Sequence, residues 1–298
     1  MVTESASDRP PSDPPARVDA QLAAATDRLI ASLGLSRPEA RREARILAAH
    51  GLGVTTAWLV AHDRDQLTPA QSAVVDGLVQ QRADGIPVAY LLGSREFHGR
   101  PFRVTPAVLI PRPETEHLVE AALARLPADR PASVLDIGTG SGCVAISLAL
   151  ERPAWTVSAV DISPAALEVA ADNGRRLAAQ VNWQLSNLFA YLAGARYDLI
   201  VSNPPYVAAN DAHLTRGDLR HEPPGALASG VDGLDALRAI VEAAPTYLNE
   251  GGWLLLEHGH EQGGPVRRLL AERGFEAIFT ETDLAGLARI SGGRQAAH

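Results

Sequence analysis

Asn203-Pro204-Pro205-Tyr206 closes an apolar run, Tyr197-Asp198-Leu199-Ile200-Val201-Ser202, which reads as a buried strand. Proline has no N–H, and each proline pushes the preceding residue toward extended geometry. The carbonyls of Asn203 and Pro204 are therefore kept out of helical hydrogen bonding at the strand's C-terminal end, where open parallel sheets hold ligands. An amide side chain, a fixed carbonyl and an aromatic ring together suit the holding of a planar NH2 group: two acceptors take its hydrogens and the ring packs on its face. The same residues also fit a plain proline-rich turn with an exposed tyrosine.

A second constellation lies upstream. Ser133-Val134-Leu135-Asp136-Ile137 reads as a strand running into Gly138-Thr139-Gly140-Ser141-Gly142, with a buried helix following from Cys143. Small residues in such a turn let a ligand approach free backbone N–H groups. Asp161 ends the next strand, about twenty residues past the glycines, where a nucleotide fold places a carboxylate for ribose hydroxyls. Glycine turn and carboxylate fit NAD as well as S-adenosylmethionine. The spacing lacks the last glycine of the dinucleotide fingerprint. The fourth strand ends in an amide-holding group, and no strand end carries a His–Asp relay. These features favour S-adenosylmethionine, which brings its own electrophilic methyl and needs only an aligned nucleophile.

These strand ends need a scaffold, and the order of elements supplies one. Strands alternate with helices from residue 133 to the end: 155–160, 181–185, 253–257, 275–280 and 287–291 read as further strands, and 165–178, 232–247 and 261–273 as helices. That alternation predicts an α/β fold with a mostly parallel sheet covered on both faces. Residues 17–83 are instead helical throughout. Leu22, Ala25, Leu29 and Leu33 keep helical spacing up to Gly34, Ser36-Arg37-Pro38 starts a second helix, and Thr68-Pro69 starts a third that runs to about Arg82. His50 and His62 stand alone and read as surface or capping residues. Between the two regions, Phe97-His98-Gly99-Arg100-Pro101-Phe102 reads as a hairpin. Val108-Leu109-Ile110 reads as a strand entering Pro111-Arg112-Pro113, with Glu114-Thr115-Glu116 opening a helix to about Leu126. The loop 207–230 gathers His213, His221, Asp211, Asp218 and Glu222, without the spacing of a known metal site.

Composition narrows the classes. The chain has 298 residues, 46% of them hydrophobic, with no run long enough to span a membrane. Its formal net charge of -8 counts against a dedicated nucleic-acid surface. Cys143 is the sole cysteine, which excludes an internal disulfide and a cysteine-rich metal centre. Residues 1–15 are polar and proline-rich, lack a signal-peptide core, and read as a disordered tail. A soluble cytoplasmic protein is expected.

Five stretches together resemble the N5-glutamine methyltransferases of peptide-chain release factors, the PrmC/HemK family. They are Phe97-His98-Gly99, Leu109 to Glu116, Leu135 to Cys143, Asp198 to Tyr206, and Leu255-Leu256-Glu257-His258-Gly259. The resemblance covers nearly everything from about Arg17. It implies a Rossmann-like S-adenosylmethionine-dependent methyltransferase fold with a small N-terminal helical domain. The implied division is a tail 1–16, a substrate-recognition domain 17–93, a hairpin linker 94–113 and a methyltransferase domain 114–298. The implied substrate is the glutamine of the Gly-Gly-Gln motif in class I release factors, with no stable nucleic-acid binding and no membrane contact. On the matching positions, Gly138, Thr139, Gly140, Ser141 and Gly142 line the cofactor pocket and Asp161 takes the ribose. Asn187 and Leu188 lie near the adenine, where the family often has Asp and an aromatic. Asn203 also borders the cofactor. Asn203 and the Pro204 carbonyl hold the substrate amide, flanked by Pro205 and packed on by Tyr206. Asn-Pro-Pro-Tyr alone is shared with adenine-N6 methyltransferases, and a ribosomal-protein glutamine would need the same site chemistry.

Overall fold

The structure, a computed structural model, describes residues 16–296. The expected tail falls at residues 1–15, outside the described residues. Ala16, expected to belong to it, instead accepts the Leu67 N–H at 2.9 Å. The chain divides into two compact units at Leu92 and Gly93.

The first unit is helical: α1 (Val18–Leu33), α2 (Arg37–Leu52), α3 (Thr56–Ala61), α4 (Pro69–Ala83) and α5 (Val88–Leu92). Val18, Ala25 and Leu29 of α1 face a core shared with Ala44, Leu47, Leu59, Val75 and Val79. Gly34 stops α1 in a left-handed conformation, φ 66°. At the start of α4, Thr68 and Gln71 cap each other: the Gln71 N–H donates to Thr68 Oγ1 (3.3 Å) and the Thr68 N–H to Gln71 Oε1 (2.9 Å). Two helices escaped the sequence reading, α3 and α5. Both are too short for a periodic stripe, and α3 is held by its Thr55 cap and by His62 stacked on Trp58.

The second unit opens with an antiparallel hairpin, β1 (Ser94–Phe97) and β2 (Arg100–Arg103). Its two turn residues, His98 and Gly99, both adopt positive φ (49° and 71°), which suits the right-handed twist of a two-residue turn. The strand expected at Val108-Leu109-Ile110 does not form. The Ile110 N–H is taken by the Glu222 carboxylate at 3.0 Å and the Val108 N–H by the Thr105 carbonyl, so this backbone is satisfied away from any sheet. Then α6 (Pro113–Arg125) begins, with Pro113 in its first turn beside Glu114 and Glu116.

A seven-stranded sheet follows. In chain order the elements are β3 (Ser133–Ile137), α7 (Cys143–Glu151), β4 (Thr156–Asp161), α8 (Pro164–Arg176), β5 (Val181–Leu185), β6 (Tyr197–Ser202), α9 (Asp235–Tyr247), β7 (Leu248–Glu257), α10 (Gly263–Glu272), β8 (Glu276–Thr282) and β9 (Ala288–Arg294). The strand order is β5-β4-β3-β6-β7-β9-β8, parallel except where β9 pairs with β7 and β8. Neighbouring strand residues serve opposite faces: Val134, Leu199 and Leu255 join one core, and Leu135, Ile200 and Leu254 the other. Both faces are buried, so the strands read as continuous apolar runs. From β3 the chain steps outward to β4 and β5, then returns to place β6 on the other side of β3. That reversal between β3 and β6 is the point at which such sheets open a ligand crevice. Among the described residues no helix is long and apolar enough to cross a membrane.

Candidate active site

The crevice at the reversal is a cavity of about 430 Å³, within the ~300–1,000 Å³ usual for small-molecule sites. Its floor is the glycine turn after β3. The Gly138 and Thr139 N–H groups bond the Val160 carbonyl at 2.9 and 3.0 Å, which curls the chain sharply over β4. Gly138 and Gly140 hold φ 72° and 54°, and a Cβ on either would meet open space. The backbone is thus bare toward the cavity. Gly142 differs from the expectation that it lines the pocket: a Cβ there would meet Trp183, Ala170 and Ile146 at 3.0–3.1 Å. It starts α7 at φ 80° and lets α7, α8 and Trp183 close together, away from the cavity wall. Asn173, wholly buried on α8, anchors this loop by donating to the Ser141 carbonyl at 2.9 Å while exchanging two bonds with Arg103 of β2.

Asp161 stands at the end of β4 in the cavity wall. Its carboxylate is already engaged: Oδ2 accepts the Gly140 N–H and Oδ1 the Ser163 N–H, both at 2.9 Å. It therefore fastens the glycine turn to the start of α8. Asn187 and Leu188 line the same cavity after β5, with Leu188 at φ 49° and its carbonyl held by Ser186 Oγ at 2.8 Å.

The amide-bearing end of β6 meets this turn directly. Ile137 and Ser202 are register partners, so Gly138 and Asn203 follow side by side. Asn203, Pro204 and Pro205 line the cavity. The Asn203 Nδ2 donates to Thr115 Oγ1 of α6 at 3.0 Å. Tyr206 departs from expectation. It is not in the cavity wall; its ring packs beside the core and its hydroxyl reaches Glu257 Oε1 at 3.4 Å. The Tyr206 carbonyl accepts from Gln262 at 3.0 Å, which turns the chain away after the two prolines.

Several residues in or behind the wall carried no role in the sequence reading. Asp136, the next-to-last residue of β3, is buried and accepts from Thr139 Oγ1 at 2.7 Å. Burial pushes its carboxyl up to about 7, against the pull of that hydroxyl. Thr115 sits inside the Pro-Arg-Pro-Glu-Thr-Glu stretch and shows only as a helix start in sequence. Glu257 is buried at the end of β7, its carboxyl likewise pushed up to about 7 by burial, with Thr115 and Tyr206 drawing it back. A carboxylate ending the run Trp-Leu-Leu-Leu was the available signal. Glu222, considered as one of a loop cluster, turns inward onto Arg112 and the Ile110 N–H, with its side chain wholly buried. Asp211 and His213 pair with each other on the outside. The loop so pinned sets Pro223, Gly225 and Ala226 into the cavity wall.

Comparison with known proteins agrees on both units. A family model for the PrmC N-terminal domain matches residues 21–93, and one for the methyltransferase small domain matches residues 116–219. The chain is 50% identical over 266 residues to a release factor glutamine methyltransferase of Bordetella pertussis, covering 89% of this chain and 97% of that one. It is 48% identical over 276 residues to that of Xylella fastidiosa strain Temecula1 (92% and 97% covered), and 48% over 268 residues to that of Neisseria gonorrhoeae (89% and 97%). Among solved structures, a methyltransferase from Pyrococcus furiosus shares the fold, with TM-score 0.53 at 15% identity over 74% of this chain and 98% of that one. Identity at this level over nearly the full length of its relatives, with matches to both domains, places the chain in the family of release factor glutamine methyltransferases.

Proposed function

We infer that this protein uses S-adenosylmethionine to methylate the side-chain amide nitrogen (N5) of the glutamine in the Gly-Gly-Gln motif of class I release factors. One observation supports the reading: Asn203, which would hold the substrate amide, is brought beside the bare glycine turn at the reversal of the sheet between β3 and β6, inside one cavity. The wall fits the cofactor chemically. Gly138 and Gly140 leave room for close approach, and two carboxyl groups, Asp136 and Asp161, line the wall that a positively charged ligand would meet. Asp161 would take the ribose hydroxyls, while Asn187 and Leu188 would border the adenine.

The bound cofactor supplies an electrophilic methyl on a sulfonium. The protein's task is to present the amide nitrogen, a poor nucleophile because its lone pair is shared with the carbonyl. Asn203 Oδ1 and the Pro204 carbonyl would accept the two amide hydrogens, raise the electron density at nitrogen and fix its direction. The positive charge would spread as the methyl passes to nitrogen, so an apolar wall built from Leu109, Pro111 and Pro205 favours the transfer, and the methylated nitrogen would then release its surplus proton to leave a neutral N-methyl amide. Tyr206 would act from behind the cavity, through Glu257, rather than on the substrate face. The helical first unit would hold the release factor, and the acidic net charge of -8 fits a protein substrate better than a nucleic acid. Release factors act in the cytoplasm, where we place the reaction.

The test is mass spectrometry of a class I release factor incubated with the protein and labelled cofactor. One methyl should appear on that glutamine. Asn203→Ala should lower the transfer rate about a hundredfold or more and leave cofactor affinity near wild type. A wild-type rate would reduce Asn-Pro-Pro-Tyr to a turn.

A further inference from the structure

An asparagine side chain is nearly symmetric in shape, and a half-turn exchanges its oxygen and its NH2. Only one of the two orientations offers an acceptor to a substrate amide; the other points two donors at two donors. The clamp therefore needs something that sets Asn203.

The neighbour that touches Asn203 is Thr115, buried in the first turn of α6, with its Oγ1 3.0 Å from Nδ2. A threonine hydroxyl has one proton and two lone pairs, so it can accept from Asn203 only through a lone pair, and must then send its proton elsewhere. Here the Asn203 Nδ2 turns to the Thr115 oxygen, and Oδ1 is left for the cavity.

We propose that Thr115 is a positioning residue for methyl transfer, which sets the Asn203 amide by accepting its NH2. This rests on the clamp reading of Asn203. It gives the Thr of Pro-Arg-Pro-Glu-Thr-Glu a task distinct from starting a helix: from α6 it determines which way a side chain on β6 faces. Orientation is fixed before substrate binds, so substrate meets an acceptor already aimed.

The experiment compares Thr115→Val, which keeps the shape and removes the hydroxyl, with Thr115→Ser, which keeps the hydroxyl. Single-turnover transfer from labelled S-adenosylmethionine to a class I release factor gives the rate, and calorimetry gives cofactor affinity. Thr115→Val should slow transfer about tenfold, the size of one lost orienting hydrogen bond, with cofactor affinity and the KM for release factor near wild type. Thr115→Ser should restore most of the rate. In an Asn203→Ala background, Thr115→Val should cost nothing further, because there is no amide left to orient. A wild-type rate for Thr115→Val overturns the proposal, as does a Thr115→Ser rate as low as that of Thr115→Val, or an equal further loss in the Asn203→Ala background. A wild-type rate for Asn203→Ala alone instead removes the clamp reading on which the proposal stands.

Discussion

Ser202 Oγ donates to the Ile137 carbonyl at 2.7 Å, between register partners of the two strands that flank the reversal of the sheet. Both residues are buried, and the residues that follow them, Gly138 and Asn203, enter the cavity. A side-chain bond thus ties the two strands at the last point before the glycine turn and Asn203 diverge. Ser202→Ala deprives a buried carbonyl of this donor, at a cost of about 1–3 kcal/mol in stability. Because the loosened end is the cavity wall, cofactor affinity by calorimetry should fall along with the melting temperature. A lower melting temperature with unchanged affinity would show that the bond holds the sheet but not the site.

Asp161 stands at the strand end as expected from sequence, but its two oxygens already serve Gly140 and Ser163. Asp161→Ala should weaken cofactor binding by about 1–3 kcal/mol, and should also lower the melting temperature, since two backbone N–H groups lose their acceptor. Asp161→Asn is not a mild change here. One of its atoms becomes an NH2 pointed at an N–H, so either the glycine turn or the start of α8 is left unpaired. Calorimetric titration of both variants with S-adenosylmethionine checks this, and wild-type affinity in Asp161→Ala would take the residue out of the site.

What could be read from the sequence is what local chemistry decides. Gly34, Thr68 and Pro69 mark helix ends because caps depend on a few adjacent residues. The strands at 133, 156 and 197 show as apolar runs because both sheet faces are covered. Asp161, Asn203 and the glycine turn could be placed together because strand ends of a parallel sheet share one edge. What escaped depends on partners distant in sequence. Val108-Leu109-Ile110 looks like a strand until Glu222, 112 residues from Ile110, takes its N–H. Gly142 looks like a cofactor glycine until Trp183 is packed against it. Tyr206 looks free to meet substrate until Glu257 claims its hydroxyl. Thr115 and Asn203, 88 residues apart, meet only in three dimensions.

Asp136 gives a pH signature. In the unfolded chain its carboxyl has the ordinary value of 3.8; in the fold, burial pushes it up to about 7. Between those values the folded state keeps a proton that the unfolded chain has released, so stability falls as pH rises through that window and stays low above it. Asp136→Asn keeps an acceptor for Thr139 and has no charge to bury. At about pH 8 it should melt higher than wild type, with the difference shrinking toward about pH 4. The same carboxylate is proposed to face the cofactor's positive charge. Wild-type affinity for S-adenosylmethionine should therefore rise from about pH 6 to about pH 8, and that of Asp136→Asn should be weaker and nearly flat. Equal melting temperatures at about pH 8 would mean that the buried carboxyl carries no penalty.

Arg112 and Glu222 join the segment before α6 to the loop after β6, and the two residues are unequally buried. Glu222 has a wholly buried side chain, while Arg112 keeps about a third of its side chain in contact with solvent. Removing the arginine strands a carboxylate in the interior; removing the carboxylate leaves an arginine that can still reach water. Arg112→Met should therefore cost about 3–5 kcal/mol, the range for a buried pair broken from one side. Glu222→Gln keeps an acceptor for the Ile110 N–H and should cost less, about 1–3 kcal/mol. The double variant has no charge to strand and should be more stable than Arg112→Met alone. Urea unfolding of the three variants measures this. Cofactor affinity should follow the same order, because Pro223, Gly225 and Ala226 take their place in the cavity wall from this loop. A double variant no more stable than Arg112→Met would mean that the loss comes from the arginine's packing and not from the stranded charge.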